Sequence, residues 1–313
     1  MNRITHAAPL AILAALAGCK GNVAEPVAEP RNFTAELHCG ALPLKVSGAG
    51  EQLTADLPGR QLALQQAVSA SGARYVATDE TDTSLWFKGE QATLVVDGME
   101  YPRCAPANAL VEPFRASGNE PFWSLVADDG QMTLNRLNEG ELPAQRYTAG
   151  EQAGDYLGDG EPPLKLRVRD GLCRDDMSGM PHPQQVTLER DGAALTGCGG
   201  APARLLQGVE WVIEDINGGG IIDRSRVTLN FWQDGRVTGR ASCNSLMGQY
   251  ELTGEGLALS QLGTTRVACA PALMNQEQRV LNTLQQVQRF DFDETGALLL
   301  HAQEGTLKAR TEY

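Results

Sequence analysis

The chain is poor in the residues that most enzymes use for chemistry. It has only four histidines, and they are far apart in the sequence: His6, His38, His182 and His301. No CxxC motif occurs, and no Ser-His-Asp or Cys-His group is visible. A zinc site needs clustered ligands, and nucleophilic catalysis needs a nucleophile beside a base. The sequence therefore predicts a protein that is not an enzyme, with no metal site and no cofactor.

Basic residues are also scarce. Lys and Arg total 26 against 39 Asp and Glu, which gives a formal net charge of −13 over 313 residues. Nucleic-acid binding depends on cations that neutralise phosphates, so this balance argues against a nucleic-acid partner. It suits a basic protein partner, because complementary fields speed encounter. The alternative is that the acidity only keeps the protein soluble.

The sequence has no apolar run long enough to span a bilayer, which takes about 20 residues. Its one apolar run, Ala7–Ala17, follows Arg3 and is typical of a cleaved signal peptide over residues 1–18. The run closes in Leu16-Ala17-Gly18-Cys19, which resembles the bacterial lipobox, so Cys19 is expected to carry a lipid. Lys20 after the cysteine implies an outer-membrane lipoprotein that faces the periplasm. Ordinary secretion with Cys19 merely nearby is the alternative.

Seven cysteines occur, and six remain when Cys19 is assigned to the lipid. Disulfides persist in an oxidising compartment, and six cysteines permit 15 pairings. The six fall as three successive couples, each followed by a turn-rich break. We therefore predict one disulfide in each of three units: Cys39–Cys104, Cys173–Cys198 and Cys243–Cys269.

The same breaks predict the domain organisation. Residues 19–31 hold a Pro-rich linker with a doubled VAEP, and APAN at 105–108 and GGAP at 199–202 mark two further breaks. The predicted units are 32–106, 109–200 and 205–313. Short apolar runs separated by Gly, Asp and Pro at 8–12-residue spacing favour β-sandwiches or barrels in all three. Asp234-Gly235 predicts a hairpin turn, and apolar residues at helical spacing predict one helix over 270–287.

Four segments of the first unit carry a family resemblance: FTAELHC at 33–39, SASGARY at 69–75, LWFKGEQA at 85–92 and YPRC at 101–104. Together they resemble the periplasmic and membrane-bound inhibitors of C-type lysozyme, over residues 32–106. The resemblance implies a small antiparallel β-barrel whose ends are joined by a disulfide. It also implies that Ser71 and Lys88 enter the lysozyme cleft.

That placement is chemically sensible. Lysozyme cleaves with two carboxyl groups, one protonated and one ionised. Lys88 would pair with the ionised group and Ser71 would hydrogen-bond the acid. The acidic segment 79–83 is longer and more acidic than the family implies. Either its loop tip is reshaped or its carboxylates add contacts with a basic rim of the enzyme, and we expect Asp79 and Asp82 to be rim residues of the binding site. The alternatives are that Ser71 and Lys88 belong only to turns, or that the barrel binds a carbohydrate or another protein without inhibition.

The second unit opens with FRASGNEPFW at 114–123 and closes with CRDDMSG at 173–179 and LTGCG at 195–199. It resembles an uncharacterised domain of bacterial lipoproteins, and the resemblance implies no activity. Its Asp175, Asp176 and Ser178 suggest either acid–base chemistry or a turn, and the turn is favoured because no base is near. The third unit, in GRASCNSLMGQY at 239–250 and TTRVAC at 264–269, resembles the META domain of the heat-shock lipoprotein HslJ. This implies an α+β fold, a sheet that carries one helix. Asn244 there is expected to fix a turn.

The sequence as a whole thus predicts a mainly β chain with an α+β C-terminal part. The function expected is that of an outer-membrane lipoprotein that inhibits C-type lysozyme, its other units serving envelope maintenance. The competing hypothesis is a structural or stress-response envelope lipoprotein whose barrel does not inhibit.

Overall fold

A computed structural model describes residues 32–79, 81–222, 225–254 and 256–312. Cys19, the predicted signal peptide and the Pro-rich linker lie outside these residues. The described chain is mostly β, as the sequence predicts, and forms three antiparallel sheets with one α-helix. No helix in these ranges is long and apolar enough to cross a membrane.

The first sheet is a closed eight-stranded barrel with a short additional strand, β8. Its order is β6-β5-β4-β3-β2-β1-β9-β7, and β6 pairs again with β7 to close it. Side chains alternate between the core and solvent along the strands, as in β7, because successive residues point to opposite faces of a sheet. The strands are β1 Asn32–Cys39, β2 Leu42–Ala49, β3 Gln52–Leu57, β4 Arg60–Ala67, β5 Ala73–Ala77, β6 Ser84–Lys88, β7 Gln91–Val96, β8 Met99–Glu100 and β9 Cys104–Ala105.

The second sheet closes in the same way, in the order β11-β10-β18-β17-β16-β15-β14-β12 with β11 paired to β12. Phe114, Trp123 and Met132 fill its core. The strands are β10 Phe114–Asn119, β11 Phe122–Asp128, β12 Gln131–Arg136, β13 Gly140–Glu141, β14 Gln145–Ala149, β15 Asp155–Gly158, β16 Lys165–Arg174, β17 Pro181–Arg190 and β18 Ala193–Gly199.

The third sheet is nearly closed, because its end strands β23 and β24 lie side by side without pairing. A short 3₁₀ helix, Pro202–Leu205, precedes it, and α1 packs against β21 and β25. The elements are β19 Glu210–Ile216, β20 Arg226–Phe231, β21 Arg236–Ser242, β22 Ser245–Leu252, β23 Leu257–Thr264, α1 Pro271–Leu284, β24 Val287–Phe292, β25 Leu298–Ala302 and β26 Thr306–Arg310.

Two local predictions in this unit meet different outcomes. The hairpin turn is confirmed: Gly235, at a φ of +82°, lies between β20 and β21. The predicted end of the helix is wrong by three residues, because α1 ends at Leu284 and Val287 begins β24. Val287 continues the helical spacing by coincidence: it pairs with Ala302 of β25, and its side chain is buried in the apolar core.

Three disulfides lie one in each sheet unit, and they are the pairs expected from the sequence. Cys39–Cys104 joins β1 to β9, and Cys173–Cys198 joins β16 to β18. Cys243–Cys269 joins the turn after β21 to the segment that leads into α1. The first two links therefore tie strands within one sheet, and the third ties the turn after β21 to the start of the helix that covers the third sheet.

The first and third sheets share one continuous apolar core, which includes Met180 from the loop between β16 and β17, whereas the second barrel has a core of its own. The contact is close at Gly40 and Gly208. A Cβ on Gly40 would lie 2.5 Å from the Gln207 carbonyl oxygen, and a Cβ on Gly208 would lie 2.3 Å from the Cys39 carbonyl oxygen. The Ala41 N–H donates to Gln207 O at 2.8 Å. Two units that look separate in the sequence are thus joined through apposed backbones.

Candidate functional site

The alternation of strand directions divides the turns of the first barrel between its two ends. Turns 40–41, 58–59 and 78–83 lie at one end, and turns 50–51, 68–72 and 89–90 lie at the other. Ser71 is in the second group, and Lys88 is the last residue of β6 before turn 89–90. We call this the Ser71/Lys88 end of the barrel. Both side chains are exposed there.

Trp86 connects the two residues. Its indole Nε1 donates a hydrogen bond to the Ser71 carbonyl oxygen at 2.9 Å. The Lys88 ammonium Nζ lies 4.1 Å from the centroid of the same indole ring, within the range of a cation–π interaction. Trp86 and Lys88 share a face of β6 because they are two residues apart. The tryptophan therefore holds the Ser71 turn on one side and the lysine side chain on the other.

The Ser71 turn has a fixed shape. Gly72 has a φ of +66°, and a Cβ at this position would lie 2.0 Å from the Phe87 carbonyl oxygen. The Ser69 hydroxyl donates to the Gly72 carbonyl oxygen at 3.0 Å. Glycine is required here by both the left-handed backbone and the close approach to β6. The S-G pair is indeed part of a turn, and that turn sets Ser71 beside β6.

The charge of Lys88 has no internal partner in the described residues. The ion pairs found in those ranges involve other cations, such as Arg60 with Asp97. An exposed ammonium held over an aromatic ring and without a carboxylate can take one from another molecule. Val68 in the same turn has a fully exposed side chain, which adds an apolar contact point at this end.

Asp79 and Asp82 lie at the end of the barrel opposite Ser71 and Lys88, so the expectation that they form a rim around these two residues is wrong. The acidic segment 79–83 joins the end of β5 to the start of β6. At about 3.3 Å per strand residue, Ser84 is about 13 Å along β6 from Lys88. Asp79 accepts hydrogen bonds from the hydroxyl and N–H of Thr81, and these lower the pKa of Asp79. These two hydrogen bonds lie within the connection between β5 and β6.

The two motifs of the other units are structural. Asp175 Oδ1 accepts hydrogen bonds from the Met177 and Ser178 N–H groups and the Ser178 hydroxyl, as a turn requires. Asn244 is 1% exposed. Its amide nitrogen donates to Glu277 at 3.1 Å, and its oxygen accepts from the Val267 N–H at 2.7 Å. The amide thus ties the Cys243 turn to α1.

Within the ranges that the structure describes, no group of three or more His, Cys, Asp or Glu residues is arranged to hold a metal ion. The side-chain arrangement of most chemical interest in these ranges lies on the surface instead. At one end of the small disulfide-linked barrel, Trp86 contacts both the Ser71 turn and Lys88, and the side chains of Ser71 and Lys88 are exposed.

Two family models match parts of the chain. Residues 38–102 match the family model described as membrane-bound lysozyme-inhibitor of c-type lysozyme, MliC. Residues 204–312 match the META domain family. The chain therefore carries an MliC domain followed, after the second barrel, by a META domain.

No curated protein matches the chain significantly. Among solved structures, the chain is similar to an NMR structure of a protein from Burkholderia xenovorans, at 25% identity and a TM-score of 0.30. That match covers 35% of this chain and 86% of the other. A second NMR structure matches at 24% identity and a TM-score of 0.31, over 36% of this chain and 96% of the other.

Proposed function

We propose that this protein binds and inhibits C-type lysozyme by placing Ser71 and Lys88 in the active-site cleft of the enzyme. We propose further that a lipid on Cys19 anchors it to the outer membrane, facing the periplasm, where it protects the envelope. The observation that supports the inhibitory role is that Trp86 contacts both the Ser71 turn and the Lys88 ammonium, inside the MliC match.

The mechanism follows from the charges. Lysozyme uses one ionised carboxylate and one protonated carboxyl group. The Lys88 ammonium forms a charge-assisted hydrogen bond with the ionised group, which is the stronger kind. The Ser71 hydroxyl forms a hydrogen bond with the protonated carboxyl group. With both carboxyl groups engaged, the cleft can neither protonate nor stabilise a sugar substrate.

The overall charge of the domain favours encounter with this partner. Residues 32–106 contain nine acidic and five basic residues. Lysozymes of this class are basic, and complementary fields raise association rates. The cation that enters the cleft is thus presented by a domain whose net charge attracts the enzyme.

The META match favours a second function, that of an envelope stress-response or structural lipoprotein that does not inhibit lysozyme. The same test separates the two. Lysis of a bacterial cell-wall suspension by C-type lysozyme is followed with and without the chain from residue 20 onward, made under oxidising conditions. Inhibition by the wild type, lost in Lys88→Ala and kept in Lys45→Ala, supports the inhibitor. Lys45 is a suitable control because it is exposed on β2, four strands from β6.

Full lysis in the presence of the wild type would refute inhibition and leave the META-based function. The whole chain is used because the MliC domain shares its core with the third sheet. A fragment that lacked the third sheet would expose that apolar surface.

A further inference from the structure

A cleft of about 590 Å³ lies between the first and second barrels, next to the Ser71/Lys88 end. One wall belongs to the first barrel and includes Lys88 and Arg103. The other belongs to the second barrel and includes Asp128 and Asp129, from the turn between β11 and β12. A molecule that reaches Lys88 therefore meets the second barrel as well.

Hydrogen bonds fix this juxtaposition. Gln91 pairs with Lys88 across the β6–β7 turn, and its side-chain Nε2 donates to the Leu110 carbonyl oxygen at 2.9 Å. The Leu110 N–H donates to the Tyr156 hydroxyl at 2.7 Å. Leu110 is 4% exposed and belongs to the core of the second barrel. The turn that presents Lys88 is thus bonded to a residue packed inside the neighbouring barrel.

The Asp128–Asp129 turn is itself held in place. Glu112 accepts hydrogen bonds from the Gly130 N–H, at 3.0 Å, and from the Tyr147 hydroxyl. Asp128 accepts the N–H of Asp129 at 3.1 Å. Both aspartates are exposed, and neither belongs to an ion pair among the described residues. Two unpaired carboxylates therefore stand fixed across the cleft from Lys88.

The balance of charge around the cleft is acidic. Two cations, Lys88 and Arg103, line the cleft together with four carboxylates, those of Glu90, Glu112, Asp128 and Asp129. A partner with a basic surface would associate faster with this acidic cleft, because rim charges of opposite sign speed docking and fix the orientation of the partner. An acidic partner would be repelled by it.

We propose that the Asp128–Asp129 turn of the second barrel is a second contact surface for the basic lysozyme that is bound at Lys88. This inference rests on the proposed function. It gives the second barrel a role in partner capture: the first barrel supplies the cation for the cleft, and the second supplies carboxylates for the basic surface around it.

The test compares two variants of equal charge in the full chain from residue 20 onward. Asp128→Asn/Asp129→Asn removes the two carboxylates of the second barrel that line the cleft. Asp79→Asn/Asp82→Asn removes two exposed carboxylates at the end of the first barrel opposite Lys88. Asparagine keeps the shape in both, and it tolerates the φ of +48° at Asp129. Association and dissociation rates for C-type lysozyme are measured on a biosensor at low and high salt.

We expect Asp128→Asn/Asp129→Asn to slow association roughly two- to fivefold at low salt, with little effect at high salt or on dissociation. The Asp79/Asp82 variant should slow it less. Equal slowing by both variants would mean that only net charge matters and would overturn the proposal. Faster or tighter binding by Asp128→Asn/Asp129→Asn would overturn it too, since the wall would then compete for Lys88.

The outcomes also separate this proposal from the one on which it rests. Wild-type binding that depends on Lys88 but not on Asp128 or Asp129 overturns the second surface alone. Absence of wild-type binding overturns the proposed function and the second surface together.

Discussion

Replacing Lys88 with alanine is the most direct challenge to the proposed inhibition. The variant removes the ammonium and leaves the fold nearly intact, because Lys88 is an exposed residue at the end of β6 with no ion-pair partner in the described chain. Its contact with the Trp86 ring is lost, which at an exposed site is worth about 0.5–1 kcal/mol. A small change in the free energy of unfolding is therefore expected.

The effect on binding is expected to be much larger. In the proposed complex, the ammonium would pair with an ionised carboxylate in a cleft with little water. Removal of one partner from such a pair costs about 2–5 kcal/mol, much of it from the charge left unpaired. At 1.4 kcal/mol per tenfold, the Kd rises about 30- to 4,000-fold. Ser71→Ala loses a neutral hydrogen bond of about 0.5–1.5 kcal/mol, so its Kd rises only about two- to twelvefold.

The assay is the Kd for C-type lysozyme, measured by titration calorimetry with the wild type, Lys88→Ala, Ser71→Ala and Lys88→Glu. Lys88→Glu should bind most weakly, because it sets like charges together. Thermal unfolding of each free variant is the control for folding. A Kd for Lys88→Ala equal to that of the wild type would refute the cleft-plugging mechanism, and a larger loss in Ser71→Ala would refute the assignment of the dominant charge.

Three further predictions concern the anchor, the junction of the first and third sheets, and Trp86. Cys19→Ser should release a folded protein from the membrane fraction, and its retention there after a salt wash would reveal another anchor. Gly208→Ala should lower the free energy of unfolding by more than the about 1–3 kcal/mol typical of a strained positive φ, since its Cβ would meet a carbonyl. Gly218→Ala, with positive φ and open space, is the matched control, and similar denaturation midpoints for the two would count against a tight junction. Trp86→Phe loses the hydrogen bond to Ser71 and should weaken lysozyme binding by a few-fold in the same calorimetric assay, so unchanged affinity would mean that the Ser71 turn holds its shape without the indole.

The β-rich fold could be predicted because its signals are local. Alternating apolar residues and regularly spaced turn residues specify strands one at a time. The glycine at 235 specifies its own turn, as the φ of +82° shows. Helical spacing specifies α1 equally well, but it cannot say where a helix ends when the next strand begins with a buried residue at the same period. Val287 illustrates that failure.

The expected position of Asp79 and Asp82, close to Ser71 and Lys88, is wrong for a different reason. Asp79 lies between Ser71 and Lys88 in the sequence, and closeness in sequence suggested closeness in space. In an up-and-down barrel, each strand carries the chain from one end of the barrel to the other, so the turns before and after a strand lie at opposite ends. Counting strands from Ser71 would have placed residues 78–83 correctly. Trp86 could also have been singled out, since it is two residues before Lys88 and therefore on the same face of the strand.

The junction of the first and third sheets had no comparable signal. Gly40 and Gly208 look like ordinary turn residues, and only the folded chain shows that each backbone leaves no room for a side chain on the other. The junction lies at turn 40–41, which is the end of the barrel opposite the Ser71 turn. The META domain thus covers the end of the barrel opposite the proposed binding residues. Its packing leaves Ser71 and Lys88 exposed, with the second barrel beside Lys88. A lysozyme bound at Lys88 would contact the first and second barrels, and the META domain would remain free for a separate task in the envelope.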